Sequence, residues 1–92
     1  MNFEWDPRKA EINLGKHGVS FSEAGTVFGD ALAITVPDPD HSANEDRYII
    51  IGWSNRSRLL MVSYTDRSNR IRIISARELT RSEKKTYEEE YI

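Results

Sequence analysis

The spacing of apolar positions changes character near residue 31. Before it, apolar residues recur at helical intervals. After it, they alternate with polar ones or run together in short blocks, as strands do. "FEW" at 3–5 predicts a short strand. "DPRK" then predicts a helix start, with Asp6 as N-cap and Pro7 at the first helical position, where its missing N–H costs nothing. This helix runs to about His17, and Gly18 follows as a left-handed cap. Ser20 and Glu23 have capping-box spacing, and Val19 is placed to staple against Ala24. Phe21, Ala24, Val27 and Phe28 form the apolar stripe of a second short helix ended by Gly29.

From residue 31 the elements predicted are strands. "ALAITVP" is one, ending at Pro37, and "DPDHSANED" is an acidic loop. "RYIIIGWS", "LLMVSYT" and "RIRIISAR" are three more, separated by the turns "NRSR" at 55–58 and "DRSN" at 66–69. Turns this short imply antiparallel hairpins. "TRSEKKTYEEEY" closes the pattern as a helix, with Thr80 and Glu83 as a second capping box. The order is β-α-α-β-β-β-β-α. Strands grouped together with helices at both ends predict an α+β fold. Two N-terminal helices and one C-terminal helix would pack on a mainly antiparallel sheet of four or five strands.

Length and composition narrow this picture. The 92 residues fit one domain over 1–92. There is no cysteine, which excludes disulfides, thiolate zinc sites and a cysteine nucleophile. Small secreted domains usually need such staples, so a cytoplasmic protein is expected. No run approaches the roughly 20 apolar residues of a membrane span, and "MNFEWDPRKA" lacks signal-peptide features. The net charge of -2 disfavours a general nucleic-acid coat. Its distribution says more. Residues 55–77 hold six Arg and one acid, Asp66, while acids gather at Asp38, Asp40, Glu45 and Asp46 and at Glu88, Glu89 and Glu90.

Hairpin geometry sorts these charges. Trp53, Arg56, Arg58 and Arg77 belong at one end of the sheet, and Arg47, Tyr64, Arg67 and Arg70 at the other. Strict alternation along "RIRIISAR" puts Arg70 and Arg72 on one face and Arg77 on the other, with Ile71 and Ile73. Arg77 then stands on a core-facing row and needs a partner or a ligand. The bland alternative pairs each Arg with a nearby acid on the surface. "GKHG" sets Lys16 beside His17, which suits phosphate binding and proton transfer. Its bland alternative is a cationic last helical turn that favours the helix dipole. Tyr87 and Tyr91 either pack the last helix on the sheet or offer the Tyr87 phenol to a substrate. His41 beside Asp38 and Asp40 reads as a solvated loop, so no metal site is assigned. No phosphate-cradling glycine loop, serine triad or zinc cluster occurs.

The two ends of the chain are also familiar. "FEWDPRKAEINLGKHGVSF" resembles the opening of BrnT-type toxins, which carry W-D, a Lys, then N-x-x-K-H-G, an apolar residue and Phe. Here these are Trp5, Asp6, Lys9, Asn13, Lys16, His17, Gly18, Val19 and Phe21. "RIRIISARELTRSEKKTYEEE" is similar to the family's R-I-I-S-A-R, then E, then Y, at Arg72 to Arg77, Glu83 and Tyr87. The resemblance implies a small RelE-like α+β toxin that cleaves RNA. It also implies an antitoxin partner, commonly with a ribbon-helix-helix part that binds promoter DNA, so that DNA is reached only through the antitoxin. The chain departs from the family's usual basicity, being net acidic with "EEE" near residue 90.

For metal-independent RNA cleavage with no cofactor, three services are needed. The 2′-hydroxyl must be positioned and deprotonated, the phosphorane stabilised, and the 5′-oxygen protonated. Arg77 suits the phosphorane, with Arg58 as helper from the same sheet end. His17 is the proton carrier, Lys16 holds the RNA backbone, and Tyr87 orients the nucleophile or stacks on a base. Arg56 and Arg67 are assigned to RNA binding. Two alternatives stand beside this reading: a non-catalytic module that holds the antitoxin and tunes repression, and an unrelated small α+β nucleic-acid binder.

Overall fold

The change of period at residue 31 marks the passage from helices to sheet in a computed structural model, which describes residues 1–38 and 46–91. The elements are β1 (Asn2–Glu4), α1 (Pro7–His17), α2 (Phe21–Thr26) running into a 3-10 turn (Val27–Gly29), β2 (Ile34–Pro37), β3 (Arg47–Trp53), β4 (Leu59–Arg67), β5 (Arg70–Glu78) and α3 (Arg81–Tyr91). This is the expected α+β order. Asp40 and His41 fall outside the described residues.

Local chemistry sets the helix ends. Asp6 accepts from the Arg8 N–H at 2.9 Å, and Pro7 opens α1. Gly18 closes it with φ 69°, a conformation that glycine adopts without a Cβ clash. Ser20 accepts from the Glu23 N–H at 3.0 Å to start α2. Thr80 and Glu83 form both halves of their capping box, at 3.2 and 2.9 Å.

The five strands lie in the order β1-β5-β4-β3-β2. All neighbours are antiparallel except β1, which runs parallel to β5 with Phe3 opposite Ile71. One face carries the core. Ile50, Leu60, Val62, Tyr64, Ile73 and Ala76 meet Val19, Phe21, Ala24 and Val27 there, all buried. Gly52 lets the chain after α2 come close. A Cβ at Gly52 would stand 2.9 Å from both Ala33 Cβ and Asp30 Oδ2. That approach is fixed by Asp30, whose Oδ2 accepts from the Trp53 N–H at 2.8 Å.

The opposite, outer face carries α3. Ile34, Ile51, Met61 and Arg77 stand in one register row across β2, β3, β4 and β5. The apolar members of that row line a cleft of about 320 Å³ together with Leu79 and Tyr87.

Strand β5 holds the main departure from the sequence reading. Ser63 pairs with Ser75, but Tyr64 pairs with Ile73, so Ile74 is an extra residue in a β-bulge. One inserted residue reverses the alternation beyond it. Ile73 and Ala76 therefore both face the core, and Arg77 turns to the outer face rather than joining Ile71 and Ile73. Arg70, Arg72 and Arg77 share that outer face.

Candidate nucleic-acid interface

The α1–β5 junction rests on one buried amide. β1 covers β5 only as far as Arg72, which leaves the later part of that edge without a strand. Asn13 fills the gap. Its Oδ1 accepts from the Ala76 N–H at 3.1 Å, and its Nδ2 donates to the Ala76 carbonyl at 2.8 Å and the Val19 carbonyl at 2.9 Å. A side-chain amide thus stands in for a neighbouring strand and ties both sides of the Gly18 turn to β5. Three hydrogen bonds satisfy a group that would be costly to bury alone.

This docking carries Lys16 and His17 to the β5 edge. Lys9, Ile12, Asn13, Lys16 and His17 line a shallow groove of about 200 Å³ against Ile74 and Ser75. His17 is half-buried and Lys16 exposed. Ser75 in this groove and Arg77 two residues further along β5 both stand on the outer face, although Arg77 does not line the groove itself.

Arg77 is already partnered. Its Nη1 donates to Glu83 Oε1 at 2.7 Å and its Nη2 to Glu83 Oε2 at 3.0 Å, a fork-to-fork pair. Nη1 also donates to the Glu78 carbonyl at 3.2 Å, and Nη2 lies 3.4 Å from Met61 Sδ. The Arg77 hydrogen bonds, with help from the Thr80 N–H, hold the Glu83 carboxyl down at about 2. The same pairing raises Arg77. The Arg77 side chain as a whole is 36% exposed.

Arg58 occupies the same sheet end but belongs to the core-side face. Its Nε donates to Glu23 Oε2 at 2.9 Å, its Nη2 closes on Glu23 Oε1, and the same Nη2 donates to the Gly18 carbonyl at 3.0 Å. Glu78 Oε2 lies 3.5 Å from Nη1. Glu23 is buried and also accepts from Ser54 Oγ at 2.7 Å. Arg58 holds the Glu23 carboxyl below its usual range. The expected helper arrangement is therefore corrected: Arg58 and Arg77 share a strand end, on opposite faces, and each grips its own carboxylate.

The remaining candidates spread out. Arg56 is 71% exposed in its side chain, 3.8 Å from Glu23 Oε1. Arg67 pairs across the turn with Arg70, at the far end of the sheet. Arg72 is bonded to Glu4 at 2.9 Å and lowers that carboxyl. Tyr87 is buried among Ile34, Ile51 and Met61, with its ring 5.8 Å from that of Tyr91. Burial pushes its phenol up. The structure thus brings Lys16 and His17 together against Ser75 and ties Arg58 to the adjoining Gly18 turn, while Arg77, held by Glu83, does not line that groove and Arg56, Arg67 and Tyr87 lie apart from it.

Asn13 and Glu23 enter the sequence reading only as motif or cap positions. Spacing does not single out Asn13, because the apolar Ile12 and Leu14 of α1 are exposed while Asn13 is the buried residue of the helix. Glu23 gave no signal either, because its capping-box position suggested the Ser20 N–H rather than Arg58 as partner. Among the described residues, no group of three or more His, Asp or Glu is placed to hold a metal ion, and no helix is long and apolar enough to cross a membrane.

A family model described as the ribonuclease toxin, BrnT, of type II toxin–antitoxin systems matches residues 5–83. A search of curated proteins returns no match. Among solved structures, the chain is similar to the crystal structure of the Brucella abortus ribonuclease toxin BrnT. The two are 24% identical with a TM-score of 0.69, over 88% of this chain and 99% of that one. At that identity the likeness concerns the fold.

Proposed function

The chain belongs to the BrnT family of ribonuclease toxins of type II toxin–antitoxin systems, and on that premise we propose that it is an endoribonuclease acting without a metal. The observation that carries this reading is the placement of Lys16 and His17 over Ser75, on the strand that presents Arg77. A phosphate lying over Ser75 would meet the exposed part of Arg77 on one side and the His17 turn on the other.

In this mechanism the RNA 2′-oxygen attacks phosphorus as the bond to the 5′-oxygen breaks. His17 takes the 2′-hydroxyl proton and returns it to the departing 5′-oxygen. Arg77 stabilises the charge on the phosphorane, and Lys16 holds the backbone. Arg58 acts indirectly, by gripping the Gly18 carbonyl of the turn that bears His17. Tyr87 supports α3 from beneath. Arg56 and Arg67, at opposite ends of the sheet, would meet flanking nucleotides. The products are a 2′,3′-cyclic phosphate and a 5′-hydroxyl. Its cognate antitoxin, of ribbon-helix-helix type, would neutralise the chain and link it to promoter DNA.

The closure of Arg77 on Glu83 favours a second reading, a non-catalytic module that binds the antitoxin. The two separate in one experiment. Antitoxin-free protein is incubated with a defined RNA in EDTA, beside Arg77→Ala and His17→Gln prepared identically. Cyclic-phosphate ends from the wild type, with at least about 100-fold less from either variant, support the ribonuclease. No cutting by any of them, with ribosomes added, supports the binding module.

A further inference from the structure

The acidic run Glu88–Glu90 takes no part in the proposed cleavage, and its position is costly. α3 carries Arg81, Lys84 and Lys85 in its first half, three glutamates near its end, and no base in its last turn. That is the reverse of what a helix dipole favours, at about 0.3–1 kcal/mol for each such charge. Among the described residues none of the three glutamates forms an ion pair.

The same end of α3 overhangs an apolar cleft. Ile34, Val36, Ile51, Met61 and Leu79 contribute to its walls, and Glu90 and Tyr91 to its rim. Val36 is 38% exposed and Tyr91 52% exposed. The cleft opens beside β2, which among the described residues is an edge strand paired with β3 alone. β2 reads Ile34, Thr35, Val36, Pro37 and has no charge to discourage a visiting strand. An apolar floor, a strand edge and the unpaired carboxylate of Glu90 therefore meet at one place, with Glu88 and Glu89 adding negative charge from the neighbouring turn of α3.

We propose that this β2–α3 cleft is the docking surface for the antitoxin, and that the segment it takes is extended, with alternate apolar side chains and flanking Lys or Arg. The apolar side chains fill the cleft over Val36 and Ile34. The cations meet Glu88, Glu89 and Glu90 and relieve their repulsion from the helix dipole. This surface lies on the part of the outer face covered by α3, across the sheet from the β5 edge that carries His17, and its inner wall includes Met61 and Glu83, the partners of Arg77. The proposal rests on the toxin reading given above.

The test measures antitoxin affinity by calorimetry at two salt concentrations, for the wild type, Val36→Asp, the triple variant E88K/E89K/E90K, and Glu11→Lys as a control on α1. RNA cleavage by each free protein is measured alongside. The expected result is at least a tenfold loss of affinity for Val36→Asp and for the triple variant, with wild-type affinity for Glu11→Lys. The triple variant should also lose most of the salt dependence while its unfolding midpoint holds or rises, because lysines suit that helix end. A merely structural role for the glutamates would lower stability together with affinity. Wild-type affinity in both cleft variants overturns the docking surface and leaves the toxin reading intact. A wild type that neither cuts RNA nor binds the antitoxin overturns both. Self-association of the free chain that Val36→Asp abolishes would assign the cleft to a second copy, and overturns the proposal.

Discussion

At the scale of single residues, Glu83 does three things with one carboxylate. It caps α3 at the Thr80 N–H, clamps Arg77, and in the proposed mechanism would set how much of that guanidinium an RNA phosphate can reach. Its carboxyl falls from an ordinary 4.5 to about 2 on folding. A depressed carboxylate contributes stability that is fully present above the unfolded value and is lost as pH falls through the folded one. Glu83 therefore stabilises the protein above about pH 4.5, and that contribution fades between 4.5 and 2. The side chain is 35% exposed. Solvent screening reduces the effect to an order of 1 kcal/mol. Urea unfolding across this pH range should show the wild type converging on Glu83→Gln as the pH drops. A constant gap between the two would mean the ion pair contributes nothing. The cap partners of Glu83 were legible in the sequence because capping is local. Its pairing with Arg77 was not, because alternation had assigned Arg77 to the wrong face.

At the scale of elements, the helices and hairpins followed from periodicity, Pro7, Gly18 and the short turns. The bulge at Ile74 did not. A run such as Ile73-Ile74-Ser75 has no residue whose type marks the insertion, and the partner strand alone reveals it. The consequence for the candidate site was large, since it moved Ser75 and Arg77 together to the outer face, away from the face that holds Arg58. The α1–β5 contact was equally hidden, being a link between residues far apart in sequence. Its strength can be measured. Asn13→Ala leaves the Ala76 N–H and carbonyl without their partner, at a cost of about 2–3 kcal/mol. Chemical denaturation should show that loss. RNA cleavage should fall further than stability accounts for, because the His17 turn loses its tether. Activity that survives at wild-type level in the folded variant would place His17 outside the chemistry.

At the scale of the whole molecule, the Arg58–Glu23 pair joins parts that helix and strand contacts leave separate. It connects the 55–58 turn, α2 and the Gly18 turn in one buried network. Removing Arg58 leaves the buried Glu23 carboxylate with Ser54 and the distant, exposed Arg56. Arg58→Ala should cost about 3 kcal/mol, whereas the double change Arg58→Met, Glu23→Leu should recover most of it. Thermal unfolding of the two variants decides this. A double variant as weak as the single one would show that the network contributes more than the repair of a buried charge.

The pairing of β1 with β5 has a consequence in time. Phe3 lies beside Ile71, and Asn13 lies against Ala76, so the first turns of the chain can rest on α2 early but reach the sheet only when the last strand exists. Contacts of such separation form late, after the loop between them has closed. During synthesis, Lys16 and His17 emerge from the ribosome long before the strand that presents Arg77. In the proposed mechanism the cleavage site is therefore incomplete until β5 has been made. The same interval gives a partner already in the cell its chance to act.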